Sequence, residues 1–255
     1  MVYSLIWAAC GTGFAFLMTT LGAATVFLIR DKEGKELQNI ILGFASGIML
    51  AASVWSLILP AIEQMENARE ISWIVAAAGI FLGSIFIMNV DRLLVKYTGE
   101  MEQVNRMVFA VILHNIPEGM AIGLAFSLAA DHMDQPEYLV TATALAIGIG
   151  VQNFPEGAAV SLPLRQEGMH SVRAFGYGLL SAVVEPVFGI AVVVVSEKIR
   201  PLMPWFLTFA AGAMLYVVVD ELIPRANQED SSHKATMGVM VGFLIMMVLD
   251  VALGA

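Results

Sequence analysis

Eight apolar runs, each long enough to cross a bilayer, set the terms on which this 255-residue chain can fold. A helix needs about 20 mostly apolar residues to traverse the hydrocarbon core. The runs cover approximately Leu5–Ile29, Ile40–Ile62, Trp73–Val90, Met107–Leu128, Leu139–Leu162, Phe175–Val195, Trp205–Ile223 and Met237–Leu253. Backbone in lipid has no water to bond, so only helices or closed barrels cross it, and runs of this length are helices. Connections are short, so the expectation is one polytopic all-α membrane domain over residues 1–255, its partner the lipid bilayer of the cell (inner or plasma) membrane. Composition agrees: 14% of residues are charged, against about 25% in soluble domains. The first run is too long for a cleaved signal peptide and has no positive flank, so it is expected to stay as the first span. A net charge of −9 argues against nucleic acid as a partner, because no basic patch is available to meet phosphates. The single cysteine, Cys10, allows no intrachain disulfide.

Orientation follows from the loop cations. The loops after spans one, three, five and seven hold ten Lys and Arg residues, and the other three loops hold Arg69, Lys198 and Arg200. The odd loops are therefore expected in the cytoplasm and both termini outside.

Two copies of one polar hexapeptide interrupt this apolar background. They are His114-Asn115-Ile116-Pro117-Glu118-Gly119 in span four and Gln152-Asn153-Phe154-Pro155-Glu156-Gly157 in span five. Residues i and i+4 share a helix face, which stacks His114 with Glu118 and Gln152 with Glu156. Each proline lacks an N–H, so the carbonyls of Leu113 and Val151 lose their helical partners, and a kink is expected at both. By the topology above, these side chains, Glu185 in span six and Met49 in span two lie roughly 9–17 Å from the inner face of a core about 30 Å thick. Six side chains from four helices thus share one level. Spans two and seven also resemble one another. Phe44-Ala45-Ser46-Gly47-Ile48-Met49-Leu50 leads on to Pro60, and Phe209-Ala210-Ala211-Gly212-Ala213-Met214-Leu215 leads on to Pro224. Both pairs cross in opposite senses, as inverted repeats with a midplane site do.

Charge selects the ligand. None of the eight runs contains Lys or Arg, so Glu118, Glu156 and Glu185 have no counter-ion from the chain. Each must be protonated or paired with an imported cation. Imidazole and carboxylate suit Zn, Fe(II), Mn or similar ions, and a proton pathway uses the same groups.

His-Asn-x-Pro-Glu-Gly in span four, Gln-x-x-Pro-Glu-Gly in span five and eight spans with both termini outside resemble the ZIP (Zrt/Irt-like) divalent-metal transporters. The compact form, without a long His-rich loop, is similar to the GufA-type branch. The resemblance implies an inverted-repeat bundle with a metal centre, often binuclear, in the transport path. It implies that Met49, His114, Glu118, Gln152 and Glu156 hold a first ion. It further implies that Asn115, Asn153, Glu118, Glu156 and Glu185 hold a second, with the glutamates bridging. Asn153 departs from branches that carry Asp there, and a neutral amide is the weaker ligand. ZIP-like proteins are commonly homodimers. Asp220 and Glu221 fall at the family's exit side.

The resulting expectation is transport of divalent metal, Zn2+ foremost and also Fe2+, Mn2+, Cd2+ or Co2+, into the cytoplasm, with the ion as substrate and no catalytic cofactor. A cation- or proton-selective channel is the alternative. No Gly-x-x-x-x-Gly-Lys loop is present, so ATP is not the driver, and no His-Glu-x-x-His helix marks an intramembrane metalloenzyme. Ser56 is expected to line the path or to pack, and Asp250 to reach only the outer interface. The acids Asp131, Asp134 and Glu137 beside His132 read either as a cation-gathering mouth or as an ordinary solvated loop. Gly119 and Gly123 in span four, with Gly148 and Gly150 in span five, are expected to pack those two spans together or to form a dimer seam.

Overall fold

In a computed structural model, which describes residues 2–28, 35–67, 71–98, 103–227 and 232–254, the chain forms eight long helical rods. The first is Val2–Ala23, ending in the 3-10 turn Ala24–Phe27. The second runs Lys35–Ala52, widens into a π segment at Ser53–Ile58 and continues through Leu59–Asn67. The third to sixth are Ser72–Thr98, Gln103–Asp131, Pro136–Gln166 and Ser171–Val194. The seventh is Met203–Val217, widened at Val218–Leu222 and completed by Ile223–Ala226; the eighth is Ser232–Gly254. No strand occurs among the described residues.

Helix ends have local causes. Pro136 opens the fifth helix at its first position, where its missing N–H costs nothing. That helix stops before Gly168, whose φ of 91° is closed to most side chains. The His170 ring then accepts the Val172 N–H and caps the sixth helix.

The chain bends away from regular α geometry at places the sequence did not single out. Helical structure runs without a break through Pro117 and Pro155, with no π or 3-10 turn at either. The irregular turns precede Pro60 and Pro224 instead: each π segment ends two residues before its proline. A proline ring collides with the carbonyl one turn back, and a wider π turn moves that carbonyl aside. The two π segments therefore fall at matching places in the second and seventh helices, the pair whose sequences resemble each other.

Packing extends this symmetry to the whole bundle. The first helix packs on the fifth as the fourth does on the sixth, and the second on the eighth as the third does on the seventh. The second helix meets the fifth as the fourth meets the seventh. Exchanging first with sixth, second with seventh, third with eighth and fourth with fifth reproduces every one of these contacts. Each exchanged pair is of opposite parity along the chain, so the relation is an inverted repeat.

Seven rods are long and apolar enough to cross a membrane; the fifth falls short on apolarity. From Gly148 to Leu164 every residue of that helix except Val151 and Phe154 is buried. Protein covers it where lipid would otherwise be, so it tolerates polar residues the outer helices could not carry.

Polar contacts at the two ends of the bundle sort the loops. Arg200 pairs with Asp131 at 3.3 Å, joining the loops after the fourth and sixth helices. At the other end Arg225 pairs with Glu167 at 2.7 Å, Lys234 with Glu36, and Gln166 donates to Gln38 at 2.6 Å. The connections after the fourth and sixth helices thus meet at one end, and those after the first, fifth and seventh at the other.

Helices approach to backbone contact where glycines allow it. A Cβ at Gly83 would lie 2.0 Å from the Phe209 carbonyl oxygen, whereas one at Gly13 would meet nothing within 4 Å. Gly83→Ala is therefore expected to lower stability by about 1–3 kcal/mol and Gly13→Ala to leave it unchanged, as read by thermal unfolding in detergent.

Candidate metal centre

The three acidic residues flagged by the sequence are enclosed: Glu118 is 0% exposed, Glu156 1% and Glu185 0%. They come from the fourth, fifth and sixth helices, and amides of the two hexapeptides bind them together. Gln152 Nε2 donates to Glu118 Oε1 at 2.5 Å. Asn153 Nδ2 donates to Glu185 Oε2 at 2.9 Å, and Glu156 is buried three residues further along the same helix as Asn153. Asn115 Nδ2 donates to the Ser181 carbonyl of the sixth helix at 3.1 Å.

The glycine that ends each hexapeptide explains how the helices come so close. A Cβ at Gly119 would lie 2.3 Å from the carbonyl oxygen of Glu185. One at Gly157 would lie 2.0 Å from that of Thr19. Each Pro-Glu-Gly therefore places its carboxylate beside a crossing of backbones, the fourth helix against the sixth and the fifth against the first. Gly119 and Gly123 thus pack the fourth helix on the sixth, not on the fifth as was expected, because the backbone carbonyls of Glu185 and Gly189 lie against them.

The amides leave a chemical signature. Asn115, Gln152 and Asn153 each spend an N–H on a protein acceptor, while the side-chain carbonyl oxygens of all three are buried without a hydrogen-bond partner. A buried acceptor left unmade costs about 1–3 kcal/mol. Three of them beside three carboxylates form a set of oxygen donors suited to a divalent cation. Among the described residues no three His, Cys, Asp or Glu side chains gather into a metal-holding group by themselves.

The remaining expected ligands are less directly placed. His114 sits in the fourth helix one turn before Glu118, but its side chain lies outside the described residues. Met49 is buried in the second helix, which packs on the fifth. Ser53, one turn on, donates to the Met49 carbonyl at 2.8 Å and reaches Met214 Sδ at 3.1 Å, linking the two methionines of the repeat.

Several polar residues take roles the sequence did not indicate. Thr19 of the first helix is buried and donates to Glu185 Oε1 at 3.2 Å. Its sequence signal is a stripe of small buried residues, Ala8, Gly11, Thr12, Ala15, Thr19 and Gly22, on one face of that helix. Asp250, expected only to reach the interface, accepts from Ser56 at 3.0 Å and is half-buried between the eighth helix and the π segment of the second. Asp220 and Glu221 both lie in the π segment of the seventh helix. His132 stacks on Tyr138 with ring centroids 4.5 Å apart, and Asp131 pairs with Arg200, so this loop is knit together locally.

The pattern of the ZIP Zinc transporter family matches residues 102–250, which include both hexapeptides and Glu185. The zinc transporter GufA of Myxococcus xanthus is 35% identical, with 92% of this chain and 94% of that protein covered. The chain belongs to the ZIP family. The zinc transporter ZIPB of Bordetella bronchiseptica is 36% identical over 97% of this chain and 82% of its own length. The zinc transporter ZIP11 of Xenopus tropicalis is 32% identical, with 96% of each chain covered. As a ZIP protein the chain is an integral, multi-pass all-α membrane protein that transports divalent metal ions.

Ligand that binds only the folded state raises stability, by about 2.7 kcal/mol at a hundred times its dissociation constant. Adding zinc to metal-free protein in detergent is expected to raise its melting temperature. Gln152→Ala, which deletes one orphaned oxygen, is expected to reduce that rise by half or more.

Proposed function

We propose that the chain is a single domain of eight membrane spans with both termini outside, and that it carries zinc into the cytoplasm. Met49, His114, Glu118, Gln152 and Glu156 hold the ion in transit, and Asn115, Asn153 and Glu185 with the two shared glutamates form a second position. The observation that carries this reading is the buried cluster of carboxylates and orphaned amide oxygens in a bundle whose eight apolar runs contain no Lys or Arg. Such a cluster gathers negative and lone-pair-bearing oxygens from several helices, and these suit an arriving dication.

The ion exchanges part of its water for these oxygens, and the centre opens to one face at a time. The inverted repeat supports alternation, because two mirrored halves give two related conformations with the site between them. The membrane potential favours the inward direction by about 2.3 kcal/mol per charge per 100 mV. The relatives named above are zinc transporters, which favours zinc over Fe2+, Mn2+, Cd2+ and Co2+. No catalytic step or cofactor enters this cycle. The assembly is expected to be a homodimer, on the family resemblance alone.

Purified protein in liposomes is expected to take up labelled zinc saturably, with competition by the other ions ranking them. Glu118→Ala and Glu156→Ala are each expected to abolish uptake; full transport by either variant removes its glutamate from the ligand set. Asn153→Asp adds a charge at the second position and is expected to raise the metal bound per chain, read by elemental analysis.

A further inference from the structure

The proposed centre takes its ligands from the second, fourth, fifth and sixth helices, and the first helix reaches it through one hydroxyl. We propose that Thr19 is a positioning residue of the centre, holding the Glu185 carboxylate toward Asn153 and Glu156. This rests on the reading of Glu185 as a metal ligand.

The hydrogen-bond lengths separate Thr19 from the other buried threonines. Thr12 and Thr208 each give their single hydroxyl proton to the carbonyl one turn back, at 2.7 and 2.8 Å. Thr19 stands 3.2 Å from the equivalent carbonyl of Ala15 and an equal 3.2 Å from Glu185 Oε1. Its hydroxyl is thus drawn off its own helix toward the carboxylate, the acceptor that binds more strongly when charged.

Symmetry gives an independent argument. Gly157 of the fifth helix abuts the Thr19 carbonyl as Gly119 of the fourth abuts that of Glu185. Under the exchange of fourth with fifth and first with sixth, Thr19 and Glu185 are counterparts. The first and sixth helices also pack directly on each other. One half of the repeat therefore supplies a carboxylate and the other half a neutral hydroxyl that binds it. The two Glu185 oxygens are fixed from different helices, Oε1 by Thr19 of the first and Oε2 by Asn153 of the fifth. Without Thr19 one oxygen loses its donor, and the side chain can rotate away from the ion.

The test uses the full chain in liposomes and follows zinc uptake against zinc concentration. Thr19→Val keeps the shape and removes the hydroxyl; it is expected to raise the half-saturating zinc concentration about tenfold, with the maximal rate changed by less than about twofold. Thr19→Ser is expected to restore the wild-type value. Thr12→Val loses only a helix back-bond and is expected to leave both parameters unchanged. Because Thr19 acts through Glu185, adding Thr19→Val to Glu185→Ala is expected to change nothing further. Equal effects of Thr19→Val and Thr12→Val, or additivity with Glu185→Ala, would overturn the proposal. Should Glu185→Ala itself transport like wild type, the ligand reading of Glu185 falls and the role of Thr19 with it. Thr19→Ala serves the same comparison if Thr19→Val is not inserted.

Discussion

Everything in this bundle is arranged around carboxylates that water does not reach. Glu118, Glu156 and Glu185 lie at the crossing of helices, and the apolar runs contain no Lys or Arg. Neutral donors compensate in part, Gln152 for Glu118, and Asn153 with Thr19 for Glu185. Dipoles of this kind offset burial only partly, since an ionised group in a low-dielectric interior needs an opposite charge as well as hydrogen bonds. In the proposed cycle the cargo supplies that charge. A transporter whose site is fully satisfied when empty would have no reason to bind, and the three orphaned amide oxygens show how the deficit is kept in place.

The surrounding fold is what allows the deficit to exist. Glycines at the ends of the two hexapeptides bring backbone against backbone, so polar side chains converge without leaving room for lipid. The fifth helix, enclosed over most of its length, carries the second hexapeptide behind a screen of other helices. Two halves of opposite sense repeat the same contacts, so a site on the relation axis is built once from both. Irregular backbone is concentrated in the second and seventh helices, outside the hexapeptides, where a π turn precedes each proline.

Most of the fold is legible in the sequence because its signals are large. Eight apolar runs and ten loop cations against three specify an all-helical bundle with alternating connections, and acidic residues in such runs are conspicuous. The repeated Pro-Glu-Gly reveals the second helix of the site as readily as the first. What stays hidden is whatever depends on a neighbour. Thr19 looks like any threonine bonded to its own helix, and only the approach of Glu185 distinguishes it. Kinks are expected at Pro117 and Pro155 because a proline always lacks its N–H. Yet the π turns precede Pro60 and Pro224 while α-helix continues unbroken through Pro117 and Pro155, and no signal local to a proline separates the two pairs. Asp250 escapes for a related reason: counting residues from a helix end gives depth but not the facing partner, here Ser56.

The modest apolarity of the fifth helix bears on how the protein is made. A segment carrying Gln152, Asn153 and Glu156 gains little by partitioning into lipid alone, since each polar group raises the cost of insertion. Its stable place exists only once the first, fourth and sixth helices are there to receive it. Stable burial of the fifth helix therefore waits on the sixth, which follows it in the chain. The polarity that makes the helix useful to the cargo also makes it the last of the first five to settle.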